Sequence, residues 1–430
     1  MKNFQLIMLI VFIVAAILGV LVFSGAIPIG KSDTPGVGGT VVLWGTLNQQ
    51  LMAPAVADFN TANPNYILKY VQKSPATFDQ NLLEALASGT GPDIFLLPND
   101  LAYHYSNRIL PISYQSFSLA SFKSSFASAG EVFLNSKGIL ALPLMIDPMV
   151  MYYNRSALDS NNIVNPPVYW DELQNLITIL NKKDQDKQLV KSAFALGQFA
   201  NVTHAKDIIS TIFMQSGNPI VAEKNGSYFS VMKNSSQNFP DLSNALQFYT
   251  SFADPTSNAY SWNRALPQSI DAFSAENLAF YFGYASELPA LVSRNPNQNF
   301  LVAPMLQLRN SSTKVTFGRV LGVSVLSSSK NPTGALTVAT LLVNSDFASK
   351  ISTALSVAPA RRDLLSIKQT DAYFPIFYSS ALFTKSWLDP SPQNTDDIFQ
   401  AMVENVLSGN KTADQSLTGA SAQLGLLLGS

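Results

Sequence analysis

Hydrophobic positions along this chain fall into three regimes. The first is continuous. Leu6 to Phe23 is an unbroken apolar run of 18 residues, and Phe4 extends it past the polar Gln5 to 20. At about 1.5 Å of helical rise per residue such a run spans a hydrocarbon core of ~30 Å. A secretory signal carries an apolar region of only about 7–15 residues. Residues 1–24 therefore read as an N-terminal transmembrane helix, with a signal segment cut near Ser24 or Ala26 as the alternative. Lys2 ahead of the run places the N-terminus on the cytoplasmic side and the rest of the chain outside. In the second regime, 25–40, Gly, Pro, Ser and Thr dominate without an apolar period, the mark of a flexible linker.

From Val41 onward short apolar runs alternate with helical spacings. Val41–Trp44 and Tyr66–Val71 predict strands, and Leu51, Val56 and Phe59 a helix between them that Asn63-Pro64 closes. Phe78, Leu82, Leu83 and Leu86 recur every three to four residues and predict a helix stopped by Gly89 and Gly91, followed by the strand Asp93–Leu97. A second series predicts strands at Leu140–Leu144, Met149–Tyr153 and Ala193–Leu196. Its helices are Asp171–Leu180 and the one striped by Ile208, Ile209, Ile212 and Phe213. Strands alternating with helices predict α/β architecture with a largely parallel sheet, and 430 residues suit two or three domains.

Composition narrows the chemistry. Charged residues are 13% of the chain, and 27 Lys+Arg against 28 Asp+Glu leave a net charge of -1. Nucleic acid is excluded as a partner, because phosphate binding needs an excess of clustered cations. The absence of cysteine excludes disulfides, thiolate metal sites, cysteine nucleophiles and a lipid anchor on an N-terminal cysteine. Two histidines, His104 and His204, are too few for an all-protein zinc site without several carboxylates. No nucleophile elbow, Walker loop or His-Glu-x-x-His occurs. Asp184-Gln185-Asp186 fails as a calcium loop, with Leu189 at its sixth position and Ala195 at its twelfth. Neither a cofactor, a metal nor a catalytic residue is expected.

A set of motifs in order resembles the extracellular solute-binding proteins of ABC importers, family 1, the maltose- or sugar-binding type. They are Val41-Val42-Leu43-Trp44-Gly45 and Phe59; Leu86-Ala87-Ser88-Gly89-Thr90-Gly91-Pro92-Asp93-Ile94; Gly138 to Pro143 with Tyr152-Tyr153-Asn154; Pro166-Pro167-Val168-Tyr169-Trp170-Asp171-Glu172-Leu173; Ser328 to Pro332 with Ala335; and Val357 to Arg361. The correspondence runs from about residue 40 to 428. The chain departs from it at Tyr169, where the family has threonine, and at Glu276 or Asn277, where the family has glycine.

The resemblance implies a two-lobed fold of the type II periplasmic-binding-protein-like class. Lobe 1 would comprise 41–147 and about 301–344, and lobe 2 would comprise 148–300 and about 345–430. The crossings would fall near Asp147, Leu301–Pro304 and Asn344. It also implies a ligand in the cleft, closure of the lobes around it, and delivery to the transmembrane subunits of an ABC permease. Ligands of α/β sheets bind beyond strand ends, which points to Trp44, Thr46 and Asn48, to Asn99 and Asp100, and to Gln198 and Asn201. Asp147 is by resemblance an acidic contact and Tyr284 a stacking platform. Trp262 and Trp387 are platforms or rim residues, with packing as the competing reading for Trp44. Tyr153 and Asn154 read as locking the hinge strand, and Asp93 as orienting a loop. Aromatic residues with neutral amides suit a mono- or oligosaccharide. The alternatives are a membrane-anchored hydrolase with paired carboxylates and a surface adhesin.

Overall fold

The structure is a computed structural model that describes residues 38–233, 239–311 and 313–429. The expected transmembrane segment 1–24, and the linker up to residue 37, lie outside the described residues. Among those described, no helix is long and apolar enough to cross a membrane.

Eight strands carry the architecture: β1 (Gly39–Gly45), β2 (Tyr66–Gln72), β3 (Ile94–Pro98), β4 (Leu142–Asn154), β5 (Leu189–Phe194), β6 (Leu278–Tyr284), β7 (Phe300–Pro304) and β8 (Thr316–Val325). They run in the order β2-β1-β3-β8-β4-β6-β5, with the edge strand Lys182–Lys183 beyond β5. Helix Gln49–Ala62 begins where the Asn48 side chain accepts from the backbone N–H of Gln50 and Leu51, and it buries Met52, Ala55 and Phe59. Helix Phe78–Ala87 buries Phe78, Leu82 and Ala85. Asp93 orients the turn into β3, accepting from Val42 N at 3.0 Å and Ser329 Oγ at 2.7 Å.

The expected largely parallel sheet is mixed. β1 is parallel to β2 and β3, while β8 is antiparallel to both β3 and β4. Leu140–Leu144 and Met149–Tyr153, read as separate strands, fuse into the 13-residue β4. Asp147-Pro148 breaks the apolar pattern but not the extended backbone, since a proline φ is compatible with it. That strand belongs to two half-sheets: Leu142–Pro148 pairs with β8, whereas Met149–Asn154 pairs with β6 and β7. Opposite Pro148 stands Gly318, where an added Cβ would collide with Thr384 and lie 3.0 Å from the Asp147 carbonyl. Glycine there lets three chain segments converge.

Later crossings differ from those expected. β7 lies wholly against the second half of β4. The chain enters the first half along β8, whose Thr316 Oγ1 still donates to Met149 O at 2.8 Å. It does not leave at Asn344: helix Ser345–Leu355 seats Phe347 on Phe59 at 6.2 Å between centroids, and Ala358–Pro359 pairs with Ile146 and Met145. The apolar face Phe347, Ala348 and Ile351 is buried in this way, which keeps the segment in the first half. Beyond Thr384–Lys385, which pairs with the start of β8, Trp387 stacks on Phe399 in the second half. That half is filled by aromatic layers such as Phe194 on Phe280, 4.7 Å apart, and by helices Leu173–Leu180, Ala205–Gln215, Pro392–Leu407 and Ala413–Leu428.

Candidate functional site

A cavity of about 600 Å³ opens where the two halves face each other across β8. Asn99 and Asp100, directly after β3, come from the first half, and the loop from Phe199 into helix Ala205–Gln215 comes from the second. Helix Pro392–Leu407 adds Gln393, Asp396 and Gln400, and Phe317 and Arg319 of β8 form the floor.

Charge is concentrated here. Arg319 lays its guanidinium over the Tyr284 ring at 4.0 Å and comes within 4.0 Å of Asp207 Oδ2, with its side chain 54% exposed. Tyr284 donates its hydroxyl to Asp207 at 2.6 Å, and His204 meets the same ring edge-on at 4.8 Å. His204 Nε2 is paired with Glu287, which also accepts from Tyr281 at 2.7 Å. Burial alone would raise the Glu287 carboxyl, but His204, Tyr281 and the Arg319 charge hold it below its ordinary range. Asp147, opposite Arg319 on β4, accepts from Ser286 N at 2.9 Å and Ser286 Oγ at 2.6 Å. Burial outweighs those bonds and pushes its pKa up to about 6. Burial likewise raises Asp100, helped by the nearby Asp389 charge, and raises Asp396.

Of the residues picked from sequence, Asn99 and Asp100 line the cavity. Asn99 is also a brace: it accepts from Val320 N at 2.8 Å and donates to Ser386 Oγ at 2.9 Å. Asp147 sits beside Arg319 as described. Tyr284 lies beneath Arg319 with no exposed surface, so it offers no free stacking face. Gln198 is buried and its carbonyl receives the Tyr249 hydroxyl at 2.7 Å. Asn201 points its amide to Asn263 O and Leu266 O, tying down a loop. Trp44, Thr46 and Asn48 do not line the cavity: Lys73 caps the Trp44 ring at 3.6 Å, and Asn48 is spent as a helix cap. Trp262 and Trp387 are core residues, 1% and 4% exposed, and Trp387 donates to Ser210 at 3.2 Å.

Sequence reading missed Arg319, Lys206, Asp207 and Asp396. A signal existed for two of them. Arg319 is the sole charge in the apolar β8, and Asp207 sits in a helix whose neighbours Ile208 and Ile209 are buried. A charge in such a place is kept only with a partner or a ligand.

The sequence matches the family model for bacterial extracellular solute-binding proteins over residues 44–348. No curated protein matches it. Solved structures are similar along nearly the whole described chain. One is a cyclo/maltodextrin-binding protein complexed with maltotetraose: 17% identity, 92% of this chain and 98% of that chain covered, TM-score 0.72. The sugar-binding protein MalE from Xanthomonas citri has 16% identity, covers 91% and 97%, and has a TM-score of 0.73. The cyclic alpha-maltosyl-1,6-maltose binding protein from Arthrobacter globiformis has 15% identity, covers 90% and 98%, and has a TM-score of 0.74. These likenesses speak to the α/β two-lobed fold, and the family match runs from the end of β1 into helix Ser345–Leu355. The chain therefore belongs to the bacterial extracellular solute-binding proteins.

Proposed function

We propose that this protein captures an extracellular saccharide between its lobes and presents it to the transmembrane subunits of an ABC importer. One observation carries the reading: a polar cavity of about 600 Å³ sits between the two halves of a chain in this family, with Arg319, Gln393 and Gln400 facing it beside Phe199 and Phe317. Amides, carboxylates and a guanidinium suit sugar hydroxyls, and the phenyl rings suit C–H faces. Similar structures hold maltotetraose and, in the GacH receptor of Streptomyces glaucescens, acarbose.

In this reading the lobes divide within β4 at Asp147-Pro148, the second crossing runs along the start of β8, and the third follows Thr384–Lys385. Binding proceeds without turnover, the apolar segment 1–24 tethers the protein to the membrane, and the lobes work on its extracytoplasmic side. Calorimetry of the full-length protein in detergent against a panel of mono- and oligosaccharides tests it. Saturable binding with the sugar recovered unchanged is the expected result. Arg319→Gln should weaken it about tenfold or more, the loss of a charge-assisted hydrogen bond. Hydrolysis of the sugar would favour an enzyme instead, and binding unaffected by Arg319→Gln would move the site elsewhere.

A further inference from the structure

Two arginines lie close over tyrosine rings, and they differ in what their donors do. At the surface Arg309 covers Tyr169 at 4.2 Å, and its fork is spent on Asp171 at 2.7 Å and Glu172 at 2.9 Å. In the cavity Arg319 covers Tyr284 at 4.0 Å, yet among the described residues its guanidinium makes no hydrogen bond. The one acid there within 4.0 Å, Asp207, stands at that limit, beyond hydrogen-bond distance. Five N–H donors therefore stay free on a half-exposed side chain at the floor of the cavity.

What holds Arg319 is the ring beneath it. Tyr284 has no exposed surface: its hydroxyl donates to Asp207 at 2.6 Å, His204 meets its edge at 4.8 Å, and its carbonyl accepts from the Tyr152 hydroxyl at 2.8 Å. It cannot touch a ligand. The backbone that carries Arg319 is pinned as well, on both sides. Phe317 N donates to Thr211 Oγ1 in the second half at 3.1 Å, and Val320 N donates to Asn99 Oδ1 in the first half at 2.8 Å.

We infer that Tyr284 is a positioning residue for ligand recognition: its ring sets the Arg319 fork on the cavity floor before the saccharide arrives, and so adds to affinity without touching the ligand. This rests on the saccharide reading above, in which Arg319 is a contact. A free arginine has many rotamers, and ordering it on binding subtracts from affinity. Laid on an aromatic face it is ordered in advance, and its in-plane donors remain outside the stack, open to oxygen acceptors. The bond to Asp207 strengthens this platform, because a phenol donating to a carboxylate gains electron density and its ring face becomes more negative.

The test is a double-mutant cycle on the full-length protein in detergent, read by calorimetry with glucose, mannobiose and maltotetraose as probes. Tyr284→Leu should weaken binding about fivefold or more in the wild-type background. Combined with Arg319→Gln it should add less than about twofold, because the platform then has no fork to hold. Tyr284→Phe keeps the ring and should retain most of the affinity, with the ligand-free melting temperature checking the fold of each variant. Tyr284→Met fills the space without a ring and serves the same cycle where Tyr284→Leu melts too low for calorimetry. Equal losses with and without Arg319 would mean that Tyr284 only packs the cavity wall, which overturns the inference and leaves the saccharide reading standing. Wild-type affinity in the ring-free variants would overturn it too. A wild-type protein that binds none of the three sugars would overturn the saccharide reading and this inference together.

Discussion

Asp147 shows how one side chain serves two demands. It closes the junction of the two half-sheets by accepting from Ser286 N and Oγ, and it faces Arg319 across the β4–β8 ladder. Burial nonetheless pushes its pKa up to about 6, above the ~3.9 of an unfolded chain. The folded state therefore holds this proton more tightly, so the contribution of Asp147 to stability falls as pH rises from about 4 to 6 and stays low above that. Asp147→Asn should be more stable than the wild type at pH 8, by roughly 2–3 kcal/mol, and should converge with it below pH 4. Urea unfolding across that range measures the difference; a gap that does not change with pH would count against the buried-carboxylate account. In the sequence, Asp147 was visible as a position and Arg319 only as a lone charge in an apolar strand, with nothing to pair the two. The partner of a buried charge lies 172 positions away on another strand, and no local pattern reports it.

At the scale of elements, two short segments separate folding from binding. Asn48 stands at the end of β1, where a ligand contact was expected, and the structure uses it to cap helix Gln49–Ala62. Asn48→Ala should cost about 1 kcal/mol of stability and leave sugar affinity unchanged; a loss of affinity in calorimetry with no change in melting would restore Asn48 to the site. The turn into β6 offers the opposite case. Where the related pattern has glycine, Glu276 adopts a left-handed backbone at φ +60°, which costs a side-chain-bearing residue about 1–2 kcal/mol. Glu276→Gly should therefore stabilise the protein by about 1 kcal/mol, read as a higher denaturation midpoint. Glycine-based motifs were legible here as departures, because the backbone demand persists when the residue changes.

For the whole molecule, the chain passes between halves in β4, at the start of β8 and after Thr384–Lys385. Distal contacts join the halves as well: Tyr103 donates to Leu428 O at 2.8 Å and meets the Tyr228 ring edge-on at 5.8 Å. Closure of the lobes, as proposed above, requires these rim contacts to rearrange while the covalent crossings bend. Small-angle scattering should show the radius of gyration decreasing when a verified ligand saturates the protein. An unchanged radius, with binding shown by calorimetry on the same sample, would remove the hinge from the mechanism.

Sequence alone determined the α/β alternation, the amphipathic faces of Gln49–Ala62 and Phe78–Ala87 and the turn at Asp93, because each is written in neighbouring residues. Its order of motifs also carried the family. Tertiary structure decided the rest. It fused two apolar runs into β4 across Pro148, kept Ser345–Leu355 in the first half by seating Phe347 on Phe59, and buried Trp262, Trp387 and Tyr284 in the protein interior. It also brought Asp100, Lys206, Arg319 and Asp396 to one cavity. Side-chain direction and long-range pairing set these outcomes. A large aromatic residue near a strand end reads the same in sequence whether it faces the cleft or the core, since burial is decided by what packs over it.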